Sequence, residues 1–481
     1  MFEKVWNGEE IPGSWALGKI VTIFKNKGTR KEPKNYRLLT ISSAVGKIFR
    51  TIIVNRLNPW YNAQLSLSQN GFRANYGTTD AILRNKTIQS LANKLNIQIY
   101  ALYIDLSAAF DKVIREWVFK SIRIRIPNSG STKLIDLLQN FYSNTTAYLN
   151  IDPNNEVFKT DIGVAQGGVE APPLFCLYLD HVMRVYEHNL EMNKIDPVKF
   201  NYNIPEVENS TSKGDVGNNV EKWCGYADDT TIYSTSINNL QQSLQIISNI
   251  YERYKLNLNI AKTKTMIYGI KSPQTPASII RLNSQNIENL ESFRFLGSMI
   301  NDRQYSTGDV EINSRVQAAE CKFAEFRKIL QNFDIDLQTR LKYFKVFIRS
   351  KLTYACQTWA LTSKQYNYLD AAQHKLLRRM IRNGNSRINK ESENFKYAVK
   401  TVNLMRICKM EELSEFIKLQ QNKFISHILR SDNTNMNKRL LFNDNKRKQR
   451  GRPVTTIFTQ VLKNCGLNVK DYMKKALSRK F

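Results

Sequence analysis

The chain has 481 residues, 42% of them hydrophobic, and its 71 Lys and Arg outnumber 42 Asp and Glu to give a formal net charge of +29. That apolar share is ordinary for a folded protein and excludes a disordered chain. So large a cationic excess opposes compaction and points to a polyanionic partner, nucleic acid before an anionic membrane surface.

No apolar run is long enough to span a bilayer, and Met1-Phe2-Glu3-Lys4 does not open a signal peptide, so no membrane partner is expected. The cysteines (Cys176, Cys224, Cys321, Cys356, Cys408 and Cys465) stand singly, without a C-x-x-C pair, and the histidines (His181, His188, His374 and His427) are dispersed. This excludes a disulfide framework and a zinc module, and suits a reducing compartment.

In chain order, residues 19–24 read as a strand and 25–28 as a basic turn, part of an alternation of short strands and turns over the first hundred residues. Ser42 or Ser43 caps an expected helix with Val45, Ile48, Ile52 and Ile53 on its apolar face, ending near Leu57 before Pro59. A second helix is expected from Thr78-Thr79-Asp80 through Leu91. Residues 97–105 alternate as a strand, with Ile97, Ile99, Ala101, Tyr103 and Asp105 on one face. Residues 107–119 read as a turn into a helix, 170–187 as a helix opened by Pro172-Pro173, and the polar 189–219 segment as an insertion or long hairpin loop. Residues 239–254 form an amphipathic helix on Leu240, Leu244, Ile247, Tyr251 and Tyr254. Beyond about residue 300 the pattern is helical. One stripe is Leu341, Phe344, Ile348 and Leu352; another is Leu369, Ala372, Leu376 and Met380, with Lys375, Arg378, Arg379 and Arg382 off it. A basic run, Lys446-Arg447-Lys448-Gln449-Arg450-Gly451-Arg452, follows near the end. The expected fold class is α+β, followed by a helical, basic region.

The chemistry concentrates at Tyr226-Ala227-Asp228-Asp229, between an apolar stretch and the strand-like Thr230-Thr231-Ile232-Tyr233. Two adjacent carboxylates at a tight turn repel and raise each other's pKa, and a hard divalent cation such as Mg²⁺ relieves the repulsion. Asp105, closing a strand about 120 residues upstream, is the third carboxylate if the two strands are neighbours. Taken alone, Asp105 also fits a helix cap before Ser107.

Further segments give these carboxylates a context. Tyr103-Ile104-Asp105-Leu106-Ser107-Ala108-Ala109-Phe110-Asp111-Lys112-Val113 resembles the first metal-binding motif of reverse transcriptases, and Tyr226-Ala227-Asp228-Asp229 their catalytic turn. Gly163-Val164-Ala165-Gln166-Gly167-Gly168 is similar to the motif beneath the nascent base pair. Asn259-Ile260-Ala261-Lys262-Thr263 resembles the loop that follows the turn, and Phe295-Leu296-Gly297 the primer grip. Asn35-Tyr36-Arg37 and Gln69-Asn70-Gly71-Phe72-Arg73 resemble fingers motifs. Phe295-Leu296-Gly297-Ser298, Tyr354-Ala355-Cys356-Gln357-Thr358-Trp359 and Gly451-Arg452-Pro453 resemble the RTE-like branch of the non-LTR (LINE-type) retrotransposon enzymes. The pattern departs at Leu38, where Pro or Gly is usual, and at Ile457-Phe458, where a Trp is expected. The chain begins almost at the fingers, so an endonuclease is expected to be supplied elsewhere or lost.

The resemblance implies a right-hand polymerase with an antiparallel palm sheet. Fingers would span 1–95, the palm 96–300, a helical thumb 301–400 and a basic helical region 401–481. It implies RNA-directed DNA polymerase activity, with an RNA template, a DNA primer or target and dNTPs as partners, two Mg²⁺ ions (Mn²⁺ as a substitute), and a nuclear location. Asp105, Asp228 and Asp229 would hold metal together with the Leu106 carbonyl, and Lys262 would act as general acid. Lys25 and Arg37 would meet the triphosphate, Gln166 and Gly167 the base pair, and Phe110 the sugar C2′. Phe295, Leu296 and Gly297 would grip the primer. Lys375, Arg378, Arg379, Lys446, Arg447, Lys448, Arg450 and Arg452 would contact nucleic acid. Several of these residues have plainer readings: Lys25 and Lys262 as solvated lysines, with Lys27 competing for the role of Lys25; Phe110 as a core residue; the basic run as a charged surface or import signal. Three rival functions share these features: an RNA-dependent RNA polymerase, a decayed or domesticated RNA-binding copy, and a splicing maturase. An apolar Phe110 disfavours the first, since recognition of a 2′-hydroxyl calls for a polar group.

Overall fold

The computed structural model describes residues 1–26, 28–125, 131–149, 156–207, 214–269, 280–301, 308–381, 401–444 and 456–479. Lys27, Arg382 and the basic run from Lys446 to Arg452 lie outside them.

β1 (Leu17–Phe24) and β2 (Tyr36–Ser42) pair antiparallel, with Ile23 opposite Arg37. Two long helices, Ala44–Gln64 and Thr78–Leu95, then lead to β3 (Ile99–Ile104). Among the described residues, the first 95 therefore hold two strands and mainly helix, not repeated strands and turns. β4 (Thr146–Leu149) and β5 (Phe158–Lys159) complete a first sheet in the order β2-β1-β4-β5. β6 (Val198–Ile204) and β7 (Asp215–Glu221) form a separate hairpin, so much of the polar 189–219 segment is ordered strand. β8 (Trp223–Tyr226), β9 (Asp229–Ser234), β10 (Lys264–Tyr268), β11 (Ile280–Leu282) and β12 (Gln285–Asn289) join β3 in a six-stranded sheet, ordered β11-β12-β10-β3-β9-β8. β3 is antiparallel to both neighbours; within this sheet β10 and β12 pair in parallel. β13 (Ser292–Phe295) and β14 (Ser298–Asn301) make a final hairpin before the helices.

All six residues of β3 are buried, so its alternation marks two covered faces. Ala101 and Tyr103 share a cluster with Ile88 and Ala92 of the 78–95 helix. Leu102 and Ile104 face Phe175 and Leu179 of the helix Ala171–Met192 and Leu244 and Ile247 of the helix Ile237–Arg253. Ile97, expected to begin the strand, lies outside it and is 36% exposed. Residues 107–119 form two short helices, Ala109–Lys112 and Arg115–Arg123, in place of one turn and helix.

The Ala44–Gln64 helix corrects two expectations. Ser43 caps it, its Oγ accepting from Gly46 N, but the helix continues through Pro59. Pro59 and Asn55, whose carbonyl the proline leaves without its helical donor, are both exposed, so water can satisfy that oxygen. The buried face is Phe49, Arg50, Ile53, Leu57 and Tyr61, while Val45, Ile48 and Ile52 are exposed. Phe49 packs on Phe2 and Trp15, and Arg50 meets Glu170 at 2.6 Å. Arg50 thus lies on the inner face, because its partner is buried with it.

Both apolar stripes beyond residue 300 are buried in one cluster, as their spacing predicts. Another cluster joins Ile88, Tyr103, Phe295, Ala355 and Leu440, crossing the boundaries drawn at 95, 300 and 400. No helix among the described residues is long and apolar enough to cross a membrane.

Candidate active site

Strand register brings the chemical residues together. Ile104 of β3 pairs with Thr230 of β9, so the next step sets Asp105 opposite Asp229. On the other edge of β3, Tyr103 pairs with Lys264 of β10, so two further steps set Asp105 opposite Lys262. Lys262 Nζ lies 3.2 Å from Asp105 Oδ2. The 259–263 loop is held against the end of β3: Asn259 N donates to the Asp105 carbonyl at 2.8 Å, and Ser107 N to the Asn257 carbonyl at 2.7 Å. Neither bond uses the Leu106 carbonyl.

β8 and β9 turn through Ala227 and Asp228, with Tyr226 opposite Asp229. Ala227 has φ 53°, a left-handed conformation that strains a residue with a Cβ. The segment 68–71 holds it there. Gln69 Oε1 accepts from Ala227 N at 3.0 Å and from Gly71 N at 2.8 Å, and Gln69 Nε2 donates to the Ala227 carbonyl. Asn70 N donates to the Gly225 carbonyl at 2.8 Å, and Gly225 N to the Ser68 carbonyl at 2.9 Å. A Cβ on Gly71 would stand 2.2 Å from Ala227 N, so only glycine fits. Gln69-Asn70-Gly71, read from sequence as a fingers motif, is thus the brace of the acidic turn. The signal was present in the motif, but its target 158 residues away was not.

The two turn carboxylates, Asp228 and Asp229, sit in a field that disfavours their ionised forms. Burial, then Asp228 and Asp105, push Asp229 up to about 7, with Lys262 pulling the other way. Burial and the Asp105 charge likewise raise Asp228, again opposed by Lys262. Among the described residues no three acidic, His or Cys side chains close into a ready-made metal cluster. The oxygen-only donor set and its mutual repulsion are nonetheless what a hard divalent cation relieves, so these residues fit one.

Five residues after Asp105, half-buried Phe110 stacks on Phe175, with centroids 4.3 Å apart. Asp111 next to it accepts from Gln166 Nε2 at 2.7 Å. Burial raises the Asp111 pKa, while Gln166 and the Lys25 charge lower it, so Lys25 lies within electrostatic reach of this corner. Gln166 and Gly167 lean on β2: Thr40 N donates to the Gln166 carbonyl at 2.8 Å, and Gly167, at φ 116°, would drive a Cβ to 2.8 Å from the Thr40 carbonyl. Lys25 Nζ donates to the Lys34 carbonyl at 2.8 Å, and Arg37 is exposed on β2.

The sequence profile described as "Reverse transcriptase (RNA-dependent DNA polymerase)" matches residues 25–300. The chain belongs to the reverse transcriptase family. Members of this family use divalent metal ions, in keeping with the donor set. The chain is 23% identical over 396 residues to the RNA-directed DNA polymerase from mobile element jockey of Drosophila melanogaster, covering 79% of this chain and 39% of that protein. It is 26% identical over 286 residues to the retrovirus-related Pol polyprotein from type-2 retrotransposable element R2DM of the same species, covering 58% and 24%. The chain therefore spans 39% of the jockey protein's length. Among solved structures, apo telomerase from Candida tropicalis matches at 13% identity and a TM-score of 0.43, covering 98% of this chain and 68% of that one. A likeness that distant carries no functional argument.

The β13–β14 hairpin carries Phe295, Leu296 and Gly297, the residues expected to grip the primer. Leu296 (φ 46°) and Gly297 (φ 81°) form its turn, a left-handed pair that suits a two-residue hairpin. Phe295 is buried against Tyr103, two residues before Asp105. Tyr354 Oη donates to the Leu296 carbonyl at 2.7 Å, and Arg315 donates to the Gly297 carbonyl, tying the hairpin to the helical region that follows. Lys375, Arg378 and Arg379, expected to contact nucleic acid, engage other partners within the chain. Lys375 pairs with Glu320 at 2.7 Å, Arg378 donates to Thr401 Oγ1, and Arg379 lies over the Phe323 ring.

Proposed function

We propose that this chain is the RNA-directed DNA polymerase of a LINE-type element, extending a DNA primer on an RNA template from dNTPs. The register that sets Asp105 between Asp229 and Lys262 carries this reading. Asp105, Asp228, Asp229 and the Leu106 carbonyl would hold two Mg²⁺ ions, with Mn²⁺ as a substitute; bound there, the ions would acidify the primer 3′-hydroxyl and neutralise the triphosphate.

The chain's own residues supply the rest. Lys262, beside Asp105 on the edge of the cluster, gives a proton to the departing pyrophosphate. Arg37 and Lys25 bind the triphosphate, the first as a fork and the second as a point charge. Phe110, backed by Phe175, presents an apolar wall to the sugar C2′ and rejects a hydroxyl there. Gln166, oriented by Asp111, and Gly167 support the new base pair, while Phe295, Leu296 and Gly297 hold the primer end. Lys375, Arg378 and Arg379, with the 446–452 run, meet phosphates without sequence preference. The place of action is the nucleus, where target DNA lies.

The test is primer extension on a primed RNA template with dNTPs and Mg²⁺. The wild type extends; Asp228→Asn loses extension by several orders of magnitude while retaining template binding. Extension by Asp228→Asn near the wild-type rate would refute the site.

A further inference from the structure

We propose that the C-terminal helices act as a positioning element for the acidic turn, through the segment that braces it. This rests on the polymerase reading for its effect on rate, but not for its effect on the turn itself.

The brace at 68–71 continues directly into residues 72–80. Phe72 (φ 52°) and Asn75 (φ 65°) are both left-handed with a Cβ, so this stretch needs outside contacts to hold its shape. Those contacts come from the far end of the chain. His427, on the helix Leu413–Arg430, donates from Nε2 to the Asn75 carbonyl at 3.2 Å. Asn435 Nδ2 donates to Tyr76 Oη at 3.2 Å, and Asn437 Nδ2 to the Asp80 carbonyl at 3.1 Å. Asn435, Asn437 and Asp80 are buried, whereas Tyr76 and His427 are half-buried and Asn75 is exposed. Within the segment, the Arg73 guanidinium lies 4.7 Å from the centre of the Tyr76 ring and donates to the Ser66 carbonyl at 2.9 Å. The Phe72 ring reaches Tyr226 at 6.2 Å. A continuous path of contacts therefore runs from Asn435 through Tyr76 and Arg73 to the loop whose Gln69 holds Ala227.

A second path enters from the other side of the turn. The helix Met436–Leu441 rests on the β6–β7 hairpin, where Asn203 N donates to the Phe442 carbonyl and Asp444 N to the Asn201 carbonyl, each at 3.0 Å. β7 ends in Glu221, whose fully buried carboxylate pairs with Arg84 at 2.6 Å, and β8 begins two residues later. The strand that delivers the acidic turn is thus anchored where the C-terminal helices sit. A device of this kind changes the geometry of Asp228 and not the affinity for template.

Two conservative variants test the first path. Tyr76→Phe removes only the hydroxyl and leaves the ring beneath Arg73. Asn435→Ser keeps a capping oxygen for the Met436–Leu441 helix, where Asn435 Oδ1 now accepts from Lys438 N, but loses the reach to Tyr76. Each is expected to lower the single-turnover extension rate about threefold to tenfold with unchanged affinity for primed RNA. The double variant should be no slower than the slower single, because both break one contact. Independently of activity, hydrogen exchange at the amides of Gly225 and Ala227 should accelerate in both variants. Unchanged exchange there overturns the positioning role, as does a loss confined to template affinity. Faster exchange in a protein whose wild type extends no primer would uphold the coupling and reject the polymerase reading.

Discussion

Replacing Asp229 by Asn should make the metal-free protein more stable, and less responsive to divalent cation. A carboxyl that titrates at about 7 in the fold, against an ordinary 3.8, costs the folded state roughly 4 kcal/mol once it is ionised. Asp229 keeps some solvent contact, and screening reduces that to about 2 kcal/mol. The sign follows from proton uptake. The folded state binds this proton more tightly than the unfolded chain, so wild-type stability rises as pH falls through 7 toward 4. Asp229→Asn lacks this contribution. Urea unfolding in EDTA at about pH 8 should therefore find the variant more stable by about 2 kcal/mol, and the gap should narrow below about pH 7 and close only near about pH 4. With cation present at a hundred times its dissociation constant, the wild type gains about 2.7 kcal/mol and the order reverses. If Asp229→Asn is no more stable than wild type in EDTA at about pH 8, the repulsion argument fails.

Opening the wall beside the sugar is the next test. Phe110→Ala should raise incorporation of rNTPs relative to dNTPs by an amount worth several kcal/mol, read as the ratio of kcat/KM for the two; efficient rNTP use by the wild type would remove the role and revive the RNA polymerase reading. The basic run makes a prediction about salt. Neutralising Lys446, Arg447 and Lys448 should flatten the log–log salt dependence of RNA affinity by roughly 0.7–0.9 per lost phosphate contact, with single-turnover rate unchanged; an unaltered slope would make the run a solvated surface. Truncation after residue 435 is a different perturbation. It deletes buried Leu440, Phe442, Phe458, Tyr472 and Met473, so lost folding, seen as a lowered urea midpoint, should accompany any loss of binding.

The chemical core was legible in the sequence because each part is encoded locally. The period-2 pattern ends a strand at Asp105, the acidic pair stands at a turn, and a lysine closes the following loop. Helices with a clean apolar stripe were equally legible, as at Leu341, Phe344, Ile348 and Leu352, since a single buried face leaves a single periodicity. The faces of the Ala44–Gln64 helix were not, because its buried side includes Arg50, whose inward turn depends on Glu170 being buried opposite it. Nor was β3's double burial, which follows from helices arriving on both faces. The brace was only half visible. Gln69-Asn70-Gly71 stands out as a motif, yet nothing in its own neighbourhood says that Gln69 holds Ala227, because a hydrogen bond across 158 residues is decided by how the whole chain packs. The amino-acid sequence by itself determined which groups make up the candidate site and in what order they stand along the chain. Only the tertiary structure decided what holds the acidic turn in its strained geometry, because that support comes from buried side chains whose partners are distant in the chain.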